Sequence, residues 1–477
     1  MAPKQPHPRN EIGEASSPGR LGSFGWIVSG VCFGLATSSG ALVFDPSNVG
    51  DAAFGLSAVA AGWLILALTL RMGIRSVLSR QTLIGLIVGF GLLARIVPFL
   101  CDPRTSDDIY RYVWEGRVQL AGFNPYVLAP DDPELASLRD EDIHPNINHP
   151  EISAIYPPVL QWLFRFGAWT GGGVTTFKLL SLAGDLATGV LLLWWLSERR
   201  HPLAWSLIWW WNPLVIVEFA YAGHADSIGV ALTVLALYAF ERSLSWTAIS
   251  ALTAGIATKL LPLLFLPIFW MRERGRVLAV APGLAVLALP YWLGVPWTTE
   301  PGGLFHAFDQ YTTHWRFNDL LFAVPFEAFE ALSKLKDPGA HPGVHEVFAA
   351  AWARRFAAVS VLAVAVWVAR RRHEITLAAL WILGSFVLLT PTLHPWYLTW
   401  ILPWLCFHPL RSGLALSGLI VLSYRALVLQ ETGAGWVEES WVRWAELISV
   451  AVLALLDWKL GPIGSPRSGP SGVRLEK

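Results

Sequence analysis

The chain has 477 residues, of which 54% are hydrophobic and only 15% charged, with acidic and basic side chains in equal number. A soluble domain is about a quarter charged. A mean hydropathy of +0.47, with apolar residues in long blocks, therefore excludes an ordinary soluble fold. Zero net charge removes the electrostatic basis for a nucleic-acid partner. The three cysteines, Cys32, Cys101 and Cys406, supply neither a disulfide framework nor metal-ligand spacing.

Residues 1–23 are polar and rich in Pro, Gly and Ser, and read as a disordered cytoplasmic tail. The next apolar block is too long for a secretory signal core, so it is expected to be an uncleaved first helix. Backbone amides in lipid must be satisfied within their own segment, so blocks of about 18 apolar residues read as membrane helices. Expected spans are 24–44, 52–70, 82–100, 174–196, 202–221, 225–240, 276–295, 348–369, 374–392, 396–409, 413–429 and 442–460. Lys259 and Pro262 interrupt the apolar block 245–270, which reads as a re-entrant segment or helical hairpin. The predicted fold is all-α: a polytopic membrane protein of about 12 transmembrane helices, forming one domain over 24–461, with a second cytoplasmic tail at 462–477.

Lys and Arg concentrate on the cytoplasmic side of membrane proteins. The connections 71–80, 197–201, 271–276 and 370–373 are basic, and with Arg411 and the C-terminal tail they are assigned to the cytoplasm. Segments 45–51, 101–173, 296–347 and 430–441 then fall outside, both termini inside. Most of the 26 tryptophans are expected at the lipid–water interface, and a few against sugar rings.

The outer segment 101–173 is long enough to be functional. Thr105-Ser106-Asp107-Asp108 has the form of a capping box, opening a helix to about Gly122 with Ile109, Val113, Gly116 and Leu120 on one stripe. That helix is expected to lie flat on the membrane surface. The apolar piece 159–169 is short for a span and reads as re-entrant. Asp107 and Asp108 are candidates for a general base toward a hydroxyl acceptor; capping and the helix dipole explain two acids here equally well.

Ionisable residues within or at the lip of apolar blocks are costly and thereby mark function. Lys259 either binds a phosphate or snorkels. His224 and Asp226 at one outer turn either position a sugar hydroxyl or phosphate, or cap the next helix. His394, with Trp396 and Tyr397 beside it, marks another outer turn. Glu218, Asp185 and Lys178 read as packing residues. In the second outer segment His306, Asp309, His314, Trp315, Arg316, Asn318 and Asp319 suit a sugar–phosphate ligand, Arg316 as a clamp on phosphate oxygens. The phosphate loop, the HExxH zinc motif and paired CxxC motifs are all absent from the sequence. With no soluble nucleotide-binding domain, a sugar donor reaching the site from the bilayer fits best.

Asp107-Asp108-Ile109-Tyr110-Arg111-Tyr112-Val113-Trp114-Glu115-Gly116-Arg117, then Gly122-Phe123-Asn124-Pro125-Tyr126 and Tyr156-Pro157-Pro158, resembles the first outer loop of GT-C polytopic glycosyltransferases. The resemblance is to the polyprenol-phosphomannose-dependent mannosyltransferases and glycosyltransferase family 87. Gly223-His224-Ala225-Asp226, Ala257-Thr258-Lys259 and His394-Pro395-Trp396-Tyr397 are similar to that group too. The resemblance implies a polyprenyl-phosphate sugar donor, mannose first among its sugars, and a glycan or lipid acceptor. It also implies a site on the outer face of a bacterial inner membrane. The base role carries to Asp107 and Asp108 jointly. Arg111, Tyr112, Glu115, Asn124, Tyr126, Tyr156, His224, Asp226, Lys259, Arg316, His394, Trp396 and Tyr397 carry over as site lining. Direct displacement predicts inversion at the anomeric carbon and calls for no cofactor, although an acidic pair is also able to hold a divalent cation. The alternatives are a transporter or lipid flippase, which the spans and buried charges also suit, and a structural scaffold, which leaves the acidic loop unexplained. Candidate polar residues gathered at outer turns favour an enzyme.

Overall fold

The computed structural model describes residues 22–73 and 78–463. Most of the two expected tails, and Arg75, lie outside the described residues. All regular structure among the described residues is helical. Six helices are long and apolar enough to cross a membrane: Ser23–Val43, Val49–Gly73, Arg80–Leu100, Val174–Glu198, Pro342–Arg371 and Arg411–Glu431. Two bent pairs, Leu203–Trp210 with Pro213–Tyr221 and Leu261–Val277 with Val280–Trp292, bring the number to eight if each is one span. Of the remaining expected spans, 442–460 lies in the unbroken 21-residue helix Ser440–Leu460, whereas the others are shorter or broken. Ile375–Leu389 has 15 residues, and 396–409 is a 3₁₀ turn followed by a single helical turn, because Pro395 and Pro403 withhold ladder donors.

Asp45 of the first expected outer turn pairs with Arg104 of the long loop at 2.8 Å. His149 of that loop packs on Trp315 of the second outer segment, and Phe317 packs on Trp436. On the basic side, Arg80 bonds Ser197 and Arg199 joins Glu241 and Glu374. Segments expected on one face thus meet one another.

The core is held by a charge pair that lipid would not tolerate alone. Arg95 and Asp185 are fully buried. Arg95 Nε donates to Asp185 Oδ2 at 2.6 Å and its Nη2 to Oδ1 at 3.0 Å, while Nη1 donates to the carbonyls of Gly91 and Trp210, both at 2.8 Å. Trp209 Nε1 completes the set on Asp185. Such a bidentate, saturated pair offsets the cost of desolvation; a single partner left behind does not. Around it pack Trp26, Trp195, Trp210, Trp211, Trp400 and Trp404, all buried. The expectation that interface positions absorb most tryptophans thus misses a large share. Here indole N–H groups bond inward to backbone and carboxylate oxygens, as Trp211 does to Ile87 O and Trp400 to Asp226.

In the long loop the helix runs Asp108–Leu120 and is stopped by Gly122 at φ +90. Two expectations need correction. The cap is not Thr105: Ser106 Oγ accepts from Asp108 N at 3.3 Å, while Thr105 Oγ1 is buried without a partner. Nor does the helix present one face to water, since Ile109, Arg111, Trp114, Glu115 and Val118 are all buried. The Pro158–Trp169 helix crosses it so closely that a side chain at Gly116 would meet Phe164 O at 2.3 Å, and residues 133–152 cover much of the rest. Block 245–270 divides into the Ser245–Ile256 helix and a 3₁₀ turn from Leu261, with Lys259 at the break.

Replacing Arg95 by Met strands a buried carboxylate. It is expected to cost about 3–5 kcal/mol, read as a lowered melting temperature of the purified chain in detergent. An unchanged melting temperature would remove the pair from its central role.

Candidate functional site

The expected outer segments enclose a cavity of about 1460 Å³. Cavities for one small ligand span roughly 300–1,000 Å³, so this one has room for a donor and an acceptor together. Asp107 and Asp108 stand on one wall, with Asn148 bridging them: its Nδ2 donates to Asp107 Oδ1 at 2.6 Å and to Asp108 Oδ1 at 2.9 Å. Asp107 opens onto the cavity while protein surrounds it on most sides. Burial, then the neighbouring charge of Asp108, raise its pKa to about 6.

Of the residues the sequence singled out, Asp107, Asp108, Arg111, Tyr156, Asp226, Lys259, Arg316, His394, Trp396 and Tyr397 line the cavity. Lys259 Nζ pairs with Asp226 at 2.5 Å and lies 4.0 Å over the Tyr397 ring. Arg316 pairs with Asp319 at 2.5 Å and lies over Phe326. Asp226 sits in the first turn of Asp226–Glu241 but spends its carboxylate on Lys259 and Trp400 rather than on a cap. The second outer segment is pinned here by two backbone bonds, Phe317 N to Pro391 O and Leu393 N to Phe317 O, which set His394 against Phe317.

Five predicted residues stand behind this lining. Tyr112 stacks on Phe164 at 4.7 Å. Glu115 accepts from Arg111 and Gln161, Asn124 donates to Tyr291 O, and Tyr126 donates to Tyr156 O. His224 lies behind Asp108. Arg111, although it touches the cavity, is spent on structure: it donates to Glu115 and to the carbonyls of Asn148, His149, Ile152 and Ser153, drawing the returning loop onto the helix.

Sequence reasoning missed Arg354. Five Lys or Arg side chains line the cavity: Arg104, Arg111, Lys259, Arg316 and Arg354. Four face carboxylates. Arg354 faces none among the described residues; its Nη2 donates to Trp315 O at 3.2 Å and its Nε is buried without a partner. An arginine inside an apolar block was its only signal. Tyr311, whose hydroxyl meets that of Tyr397 at 2.5 Å, was missed as well and had no signal. Among the described residues no cluster of three or more His, Cys, Asp or Glu is disposed to hold a metal ion.

Arg111→Lys keeps the charge but loses the planar fork that reaches five acceptors. It is expected to cost about 2–3 kcal/mol, measured as loss of thermal stability; a neutral result would free Arg111 for a role at the ligand.

A family model described as alpha-(1->6)-mannopyranosyltransferase, N-terminal domain, matches residues 19–273. No curated protein and no solved structure matches the chain. The matched stretch holds Asp107, Asp108, His224, Asp226 and Lys259; the wall formed by Arg316, Arg354 and residues 394–397 lies beyond it. With more than half its length matched, this membrane chain belongs to the alpha-(1->6)-mannopyranosyltransferase family and is a glycosyltransferase of the GT-C mannosyltransferase type.

Proposed function

We propose that the protein transfers mannose from a polyprenyl-phosphate donor to a hydroxyl of a glycan or lipid acceptor. The reading places the reaction at the outer face of a bacterial inner membrane, with both termini cytoplasmic and about a dozen crossings. One observation carries the donor class: Arg354 and the residues that follow it. Arg354, Ala357, Ala358 and Val361 all line the cavity at the i, i+3, i+4, i+7 spacing of one helix stripe. The stripe presents a guanidinium without a carboxylate, then small apolar residues running down the Pro342–Arg371 helix opposite Phe386 and Leu389. A phosphate on an isoprenoid chain matches that order of charge and apolar surface, and arginine suits phosphate by its fork.

Chemistry then divides between two walls. The acceptor hydroxyl gives its proton to Asp107 while its oxygen attacks the anomeric carbon. The bond from that carbon to the phosphate oxygen breaks on the opposite face, and its electron pair leaves with the polyprenyl phosphate. Arg354 offsets the charge that grows on the leaving oxygen. The product carries the inverted configuration. No cofactor takes part in this scheme, and transfer is expected to persist in EDTA.

Asp107→Asn is expected to lower the transfer rate about 10²–10⁴-fold, assayed in membranes with polyprenyl-phosphate mannose. Because the base form of Asp107 exists above its pKa, the wild-type rate should rise with pH through about 6. Removing the neighbouring charge by Asp108→Asn should move that rise to lower pH. Full activity in both variants would refute the assignment of the base. Arg354→Gln is expected to raise the donor KM about tenfold or more; an unchanged KM would disconnect the stripe from the donor.

A further inference from the structure

The transfer scheme leaves one buried cluster unused. His224 and Glu218 are essentially inaccessible, and His224 Nε2 lies 3.3 Å from Glu218 Oε2. Its Nδ1 lies 3.6 Å from Asp108 Oδ2. These are ion-pair separations without hydrogen-bond geometry: both imidazole nitrogens and Glu218 Oε2 lack a hydrogen-bond partner. Tyr424 donates to the other oxygen of Glu218. An imidazole between two carboxylates in a closed site is stable as the cation, and each carboxylate is stable beside it.

The backbone is shaped to make this contact. A π-helical turn at Ile216–Tyr221 and Gly223 at φ +79 fold the chain back so that His224 N donates to Glu218 O at 2.9 Å. A side chain at Gly223 would strike Ile109 Cδ1 at 2.6 Å, and Ser181 Oγ holds the His224 carbonyl at 2.7 Å. Trp396 stacks on the imidazole, with centroids 4.0 Å apart, and His394 stacks on the far face of Trp396 at 4.3 Å. An indole face suits a cation.

We infer that Glu218 and His224 are positioning residues for the transfer: the imidazolium, backed by Glu218 and roofed by Trp396, holds the Asp108 carboxylate as a fixed negative charge behind Asp107. The inference rests on the functional reading only in taking Asp107 as the base. The groups facing His224 are Asp108 from the loop helix, Glu218 from its own turn, Asp226 from the following helix with Lys259 on it, His394 across Trp396, and Tyr424 beyond Glu218. Lys178 passes near Gly223, but its amine donates to Pro98 O and Cys101 O. Burial opposes a charge on His224, yet Glu218 first, then Asp108 and Asp226, raise its pKa above that of ordinary imidazole. His394 is pushed the other way, to about 3, by burial, Lys259 and His224.

One test does not depend on the donor. In the full chain in lipid nanodiscs, the ¹⁵N signals of His224, identified by their loss in His224→Gln, are expected to show the doubly protonated ring at about pH 7.5. Glu218→Gln should lower its titration by about one pH unit or more, and Tyr424→Phe should lower it by less. In the transfer assay His224→Gln loosens the hold on the Asp108 charge and so, like Asp108→Asn, should move the acid limb of the rate to lower pH, by up to about one pH unit, and reduce kcat, with the donor KM unchanged. Glu218→Gln should move the limb in the same direction by less. If the wild type fails to use polyprenyl-phosphate mannose, the functional reading falls and the ring titration still decides the dyad. A neutral His224 at about pH 7.5 overturns the inference. So do acid limbs unmoved in both variants, or the failure of all three variants to accumulate, which would make the cluster a folding element.

Discussion

A charge taken out of water inside a membrane protein must be matched within the protein, and the arrangement of these matches explains most of the architecture. Arg95 and Asp185 saturate each other across the Arg80–Leu100 and Val174–Glu198 helices. Arg111 is consumed by Glu115 and four carbonyls and so converts the long loop into a packed wall. Lys259 and Asp226 join the hairpin break to the next helix. Each match removes a cation from candidacy as a ligand group, and what remains unmatched is correspondingly informative.

Two of the places left unmatched adjoin the cavity. Arg354 has no carboxylate among the described residues, and the His224–Glu218 contact has charge proximity without hydrogen bonds. The first is open to the cavity and suits an incoming anion. The second is closed and suits a fixed charge. A glycosyltransferase that activates a hydroxyl and expels a phosphate needs both kinds of electrostatics, a base on one side and cationic stabilisation on the other. The family match, which ends at residue 273, accounts for the acidic wall; the wall holding Arg354 comes from the second half of the chain. The large volume follows from this construction, because segments distant in the sequence must meet to close it.

Much of this was legible in the order of residues. Long apolar blocks require helices whatever their partners, since lipid offers the backbone no hydrogen bonds. The clustering of arginines at alternate turns sorted the connections into two groups, and members of each group touch one another. Asp107, Asp108 and Lys259 stood out because ionisable residues at the edges of apolar blocks are costly. Glu218 met the same criterion yet read as packing, because its partners His224, Asp108 and Tyr424 come together only through a π turn and a left-handed glycine that leave no periodic trace. The expectation of a surface helix failed for a related reason: its stripe of Ile109, Val113 and Gly116 was visible, but the chain that buries its other faces arrives from residues 133–169.

The sequence by itself determined an all-helical membrane chain, the two classes of connection and the acidic loop, because each depends on local composition and on the cost of polar groups in lipid. Only the tertiary structure decided which charges are spent and which are free. A side chain such as Arg111 or Arg354 looks identical in a sequence. Whether it clamps a loop or awaits a phosphate depends on acceptors brought from distant segments, and that pairing is made by folding alone.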